Sequence, residues 1–148
     1  MQDHSLLALS GVYHMNERLF SRLLRQHGME NLSPAQSRIL MALWEQDDIP
    51  VRQLAGLTSL DKSTLSLSLS RMEQFGIVLR SGDTQDHRVV RVKLTARGQS
   101  CLDACNAAWK ELTDYLYHGI DAEDLNIFSR VLDQIYEKLS DRERLREV

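Results

Sequence analysis

Apolar residues recur at helical spacing in the first part of the chain. Between Leu6 and Leu24, the residues Leu9, Val12, Leu19 and Leu23, with Tyr13 and Phe20 beside them, mark one face of a first helix. Ser33-Pro34-Ala35-Gln36 has the form of a capping box. The serine hydroxyl accepts from the third amide, the glutamine reaches back, and the proline takes a first-turn position that needs no donor. The helix begun there carries Ile39, Leu40 and Leu43 inward and runs to about Gln46, where Asp47-Asp48 and Pro50 stop it. A short third helix is expected from Val51 to Leu57.

The segment Thr64-Leu65-Ser66-Leu67-Ser68-Leu69-Ser70 alternates perfectly and, taken alone, suggests a half-buried strand. A helix explains more of the chain. Asp61 or its neighbour caps a start, Leu65, Leu69 and Met72 fall on one stripe with Phe75 three further along, and Gly76 ends it. Leu67 then projects among serines on the polar side.

Ile77 to Arg80 and Arg88 to Leu94 read as two strands around a polar turn, Ser81 to His87, giving a β-hairpin. In the second strand Arg88, Val90, Val92 and Leu94 share one parity, and Val89, Arg91 and Lys93 the other. One face is therefore largely apolar and the opposite face largely basic. Thr95 caps a further helix bearing Leu102, Cys105, Trp109, Leu112 and Leu116, and Asp121 caps a last one bearing Leu125, Phe128, Leu132, Ile135 and Leu139. Stripes with this rhythm suit long, packed helices.

With 148 residues, 43% of them apolar and two of them proline, the chain has the make-up of one ordered domain. It shows no apolar run of about 18 residues and no secretory signal pattern, so the expected location is cytoplasmic, without a membrane partner. The net charge of −3 conceals a gradient: residues 50–100 carry +4 and the remainder −7. A basic centre between acidic ends suits phosphates at the middle of the chain.

Cys101 and Cys105 lie four apart on one helical face, poorly disposed to pair with each other; the usual reading is two small buried hydrophobes, with an oxidant sensor as the alternative. The five histidines have no pair at metal-ligand spacing, so no metal site is expected. No nucleophile with a base, glycine-rich phosphate loop or paired carboxylates stands out, and neither catalysis nor a cofactor is expected. Trp44 and Trp109 read as packing residues rather than cavity walls.

Helix, short turn, helix and basic hairpin make a winged helix-turn-helix: a mostly α fold (α+β) with a small β-hairpin wing, beside a helical region formed by the long helices. The second helix of the pair fits the major groove of double-stranded DNA. Lys62, Ser63, Thr64, Ser66 and Ser70 offer a cation and hydroxyls there. Leu67 either packs on a thymine methyl or is a tolerated exposed leucine. Arg71, Arg80, Arg88 and Arg91 add positive charge, and an arginine on a hairpin tip suits a narrow minor groove. His87, between Asp86 and Arg88, is a DNA contact or an inert loop residue.

Two motifs carry a resemblance to the MarR family of bacterial regulators over essentially the whole chain. One is Asp61-Lys62-Ser63-Thr64-Leu65-Ser66 with Arg71-Met72-Glu73 and Gly76-Ile77-Val78. The other is Asp86-His87-Arg88 leading into Leu94-Thr95-Ala96-Arg97-Gly98, similar to the family's Asp-x-Arg followed by Leu-Thr-x-x-Gly. Leu67 departs from a position that is commonly basic or polar, and Ser59 from one that is often glycine.

The resemblance implies one MarR-type domain over 1–148, with a winged DNA-binding lobe at 33–95 and a helical dimerisation lobe from 1–30 and 96–148. It implies an obligate homodimer, a recognition helix over 61–75, and Asp86 orienting Arg88. The expected function is a repressor of a pseudo-palindromic operator, relieved by a small aromatic effector. Tyr13, His14, Ile39, Leu43 and Arg97 are the candidate walls of the effector crevice. A cysteine-based redox regulator of the same fold and a winged-helix module for protein contacts remain as alternatives.

Overall fold

A computed structural model describes residues 4–145. The helices are α1 (Ser5–Gln26), α2 (Pro34–Glu45), α3 (Val51–Thr58), α4 (Lys62–Gln74), α5 (Ala96–Tyr117) and α6 (Ala122–Arg144). The strands β1 (Ile49–Pro50), β2 (Val78–Gly82) and β3 (Val90–Leu94) form one antiparallel sheet in the order β1-β3-β2. No helix among the described residues is long and apolar enough to cross a membrane.

The capping chemistry is largely where the sequence puts it. Ser33 Oγ accepts from the Gln36 amide at 3.1 Å while Gln36 Oε1 accepts from the Ser33 amide at 3.0 Å, closing the box that starts α2. Asp61 caps α4 by accepting from the Thr64 amide at 2.8 Å, and Thr95 Oγ1 accepts from the Gly98 amide at 3.0 Å at the start of α5. Asp121 stands at the N-cap of α6, but its side chain accepts no capping bond.

Three other expectations are corrected. The sheet has a third strand, β1, in which Ile49 pairs with Val92 and Pro50 with Arg91; two residues are too few to show a period, and Pro50 is tolerated because β1 is an edge strand. Phe75 does not extend the stripe of α4. Ten residues beyond Leu65 places it roughly 80° round the helix, and it is 52% exposed. The hairpin is paired from Val78↔Leu94 to Gly82↔Val90, so the first strand reaches further and the second starts later than alternation suggests.

The described residues divide into two compact units, with the boundary between Leu112 and Thr113. The first holds one continuous core. Phe20, Leu23 and Leu24 of α1, Ile39, Leu40 and Leu43 of α2, Leu54 of α3, Leu65, Leu69 and Met72 of α4, Val78 and Val92 of the sheet, and Leu102, Cys105 and Leu112 of α5 belong to it. The C-terminal half of α1 thus packs with the winged elements. The second unit holds the last turn of α5, a turn in which Gly119 takes φ +79°, and α6. None of α6 is buried, and its stripe stays open, with Phe128 48% and Leu139 63% exposed.

Candidate nucleic-acid interface

The core fixes which side of α4 faces outward. With Leu65, Leu69 and Met72 sealed, Lys62, Ser63, Ser66, Leu67 and Arg71 are exposed, and Thr64 and Ser70 are half-buried at the margins. Thr64 is also committed locally, since its hydroxyl donates to Asp61 Oδ2 at 2.7 Å. The Thr64 bonds hold the Asp61 carboxyl below its ordinary value. Leu67, 56% exposed, lies among Ser63, Ser70 and Gln74 on this surface. Gln74 was not among the sequence candidates; its exposure follows from the same stripe. The turn before α4 contains Ser59 at φ +53°, a left-handed conformation that glycine adopts without strain. That is the physical reason glycine suits this position.

The wing tip is a closed loop. Asp83 donates its amide to the Val89 carbonyl at 2.9 Å, and Val89 donates to the Asp86 carbonyl at 2.9 Å. Asp86 accepts three bonds from Arg88: the amide and Nε at 3.1 Å, both to Oδ1, and Nη2 at 3.3 Å to Oδ2. Arg88 holds the Asp86 carboxyl below its ordinary value. The Arg88 side chain is 91% exposed, so the pair presents an oriented guanidinium to solvent, with exposed His87 beside it.

Arg80 and Arg91 are placed differently. Arg80 donates to Glu73 from Nε at 2.8 Å and from Nη2 at 2.6 Å. Arg91 donates to Asp48 Oδ1 at 3.0 Å, to the Asp48 carbonyl, and to Asp83 Oδ2 at 3.3 Å. Asp48, and then Asp83, raise the Arg91 pKa above its ordinary value. Both guanidiniums are therefore balanced by carboxylates of the chain itself. Lys62 and Arg71 make no ion pair among the described residues.

The candidate effector residues are not brought to one cavity. Ile39 and Leu43 are 0% and 1% exposed and belong to the core, so they offer no surface to a ligand. The inward stripe that identified them as apolar is the reason. Tyr13, His14 and Arg97 are exposed. Tyr13 donates to Glu17 Oε1 at 2.7 Å and accepts from Arg38 Nη2 at 2.8 Å, so Arg38, which the sequence did not single out, is the cation beside it.

Cys101 and Cys105 are unpaired and buried. Burial raises the Cys101 thiol, and burial with Cys101 nearby pushes Cys105 up to about 12. Thiols held in this way are poor nucleophiles. Among the described residues no cluster of three or more His, Cys, Asp or Glu side chains could hold a metal ion.

Comparison with known proteins points to one group. Residues 32–90 match the family model described as MarR family. The chain is 33% identical over 92 residues to the HTH-type transcriptional regulator TtmR of Methylorubrum extorquens, which covers 62% of the chain and 46% of that protein. It is 35% identical over 68 residues to the organic hydroperoxide resistance transcriptional regulator of Bacillus subtilis, covering 46% of each. The chain thus spans about half the length of the curated relatives it matches. Its fold is similar to that of Bordetella bronchiseptica BpsR, solved to explain how 6-hydroxynicotinic acid regulates the DNA binding of that protein. The TM-score is 0.80 at 19% identity, over 90% of this chain and 99% of BpsR. The matched segment runs from Leu32, just before the capping box, to the first residue of β3 and contains the whole of α4 and the wing loop; over that segment the chain is similar to the MarR family.

Proposed function

We propose that the chain is a DNA-binding transcriptional regulator, a homodimeric repressor acting in the cytoplasm on a pseudo-palindromic operator. The observation that carries the reading is the pairing of the exposed Lys62–Arg71 face of α4 with a wing tip whose Arg88 is 91% exposed and oriented by Asp86. In this arrangement α4 enters the major groove. Lys62 and Arg71 anchor phosphates, and Ser63, Ser66 and Leu67 meet base edges. Arg88 reaches the minor groove, with His87 beside it. Thr64 and Asp61 fix the N-terminal turn, and Ser70 lies at the margin of the contact.

The open apolar stripe of α6, Leu125 to Leu139, supports dimerisation through the first and last two helices, which leaves residues 33–95 as the lobe that meets DNA. An aromatic effector is supported by the regulation of BpsR, which shares the fold; Tyr13, His14 and Arg97 are the remaining candidates to meet it. The cysteine-sensor alternative is disfavoured by the burial of both thiols, and no catalytic role is proposed.

The test is selection of bound sequences from random duplex DNA with the purified chain, followed by titration at several salt concentrations. The expected product is a paired site with half-sites about one helical turn apart, roughly 34–36 Å, bound with an affinity that falls steeply with salt. A flat salt response, or no selected sequence, points instead to a module for protein contacts.

A further inference from the structure

We propose that Arg91 is a positioning residue that holds the wing at its working angle, and not a contact to phosphate; the proposal rests on the DNA-binding reading above. Its guanidinium joins two segments far apart in sequence, Asp48 ahead of β1 and Asp83 just after β2. The Asp48 side is a built anchor. Asp48 takes φ +53°, a conformation that aspartate tolerates better than most residues, and both its carboxylate and its carbonyl accept from Arg91. Asp47 reinforces it, with one carboxylate oxygen accepting from the Asp48 amide at 2.8 Å and from the Leu94 amide at 2.9 Å.

On the other side, Asp83 governs the loop that carries Arg88. Its carboxylate accepts from the Gln85 amide at 2.8 Å as well as from Arg91, and its own amide closes the loop onto Val89. A continuous path of charge-assisted bonds therefore runs from the turn before β1, through Arg91, to the wing loop. One guanidinium against two carboxylates leaves that group with no net positive charge to offer a phosphate. The Arg91 side chain is 31% exposed, where Arg88 is 91% exposed.

The test uses the full chain and its selected duplex, with Arg88→Gln, Arg91→Gln and Asp83→Asn compared for affinity, salt dependence and hydroxyl-radical footprint. Removing a phosphate contact lowers the slope of log affinity against log salt by about 0.9. Arg91→Gln is expected to leave that slope unchanged while weakening binding about tenfold, the scale of a lost charge-assisted bond. Protection by the wing should be weakened and blurred, with Arg88 still in contact with the duplex, and protection by α4 retained, at an unchanged melting temperature; general loosening of the fold would not separate the two. Asp83→Asn decides the sign. Loss of a negative charge alone tightens binding to DNA, whereas loss of the positioning link weakens it, and weakening is expected. A slope reduction for Arg91→Gln, or tighter binding by Asp83→Asn, overturns the positioning role and leaves the DNA reading standing. Failure of the unaltered chain to bind any selected duplex overturns both.

Discussion

Arg80 donates two hydrogen bonds to the same oxygen of Glu73, Oε2, and so pins the second strand of the sheet to the last turn of the helix before it. The pair is about one-third exposed, so its contribution to stability is modest, about 1 kcal/mol or less. Its value is geometric: it joins α4 to the wing.

The pair has a pH signature. Arg80 holds the Glu73 carboxyl below its ordinary value, so the stabilisation is fully present above that value and is lost as pH falls through the folded one. Glu73→Gln is expected to be less stable than the unaltered chain near neutrality. The gap should close as pH is lowered through and below the ordinary glutamate value of about 4.3. Urea unfolding across that range measures it, and a gap that widens in acid contradicts the pairing.

Gly98 shows why glycine stands in the Leu-Thr-x-x-Gly motif. A Cβ built there meets the Ile77 carbonyl oxygen at 2.1 Å, and backbone cannot step aside as a flexible side chain does. Gly98→Ala is expected to destabilise the fold by about 1–3 kcal/mol. Thr95 serves the same junction: its hydroxyl lies 2.5 Å from the Gly76 carbonyl and accepts from the Gly98 amide. Thr95→Ala should cost about 1 kcal/mol. Thermal or urea unfolding checks both, and a neutral Gly98→Ala refutes the close approach.

The thiols are expected to be inert in the folded chain. With Cys105 pushed up to about 12, its thiolate fraction at pH 8 is roughly a thousandfold below that of an ordinary cysteine. Alkylation followed by peptide mass analysis should show both sites slow in the native protein and fast in denaturant, with Cys105 the slower. Rapid native labelling of Cys105 restores the redox alternative.

The uncovered stripe of α6 predicts an association defect. Phe128→Asp places a charge on it and is expected to weaken self-association at least about thirtyfold, the scale of an interface hot spot. Sedimentation over a range of protein concentrations reads this directly. Unchanged association removes Phe128 from the interface.

Much of this architecture is legible along the chain because it rests on local chemistry. The Ser33 box, the Asp61 cap and the Leu65, Leu69, Met72 stripe each involve residues within a few turns of one another, and each forms. Asp86 and Arg88, two residues apart, belong to the same class. What escapes the sequence is long-range. Nothing near Arg91 announces that its main partner is Asp48, 43 residues away, and without that partner the residue reads as one more basic group facing an anion. The two-residue strand β1 is silent for the same reason, since it exists only through Val92 and Arg91. Ile39 and Leu43 show the converse: an apolar position is readable, but whether it meets a core or a cavity is decided by elements distant in sequence.

Val92 has no exposed surface and lies in the middle strand, flanked on both edges, and that strand passes directly through Thr95 into α5. The hairpin therefore has no hinge at its root. Its root and α4 are set by the same packed side chains, since Val78 and Val92 share one core with Leu65, Leu69 and Met72.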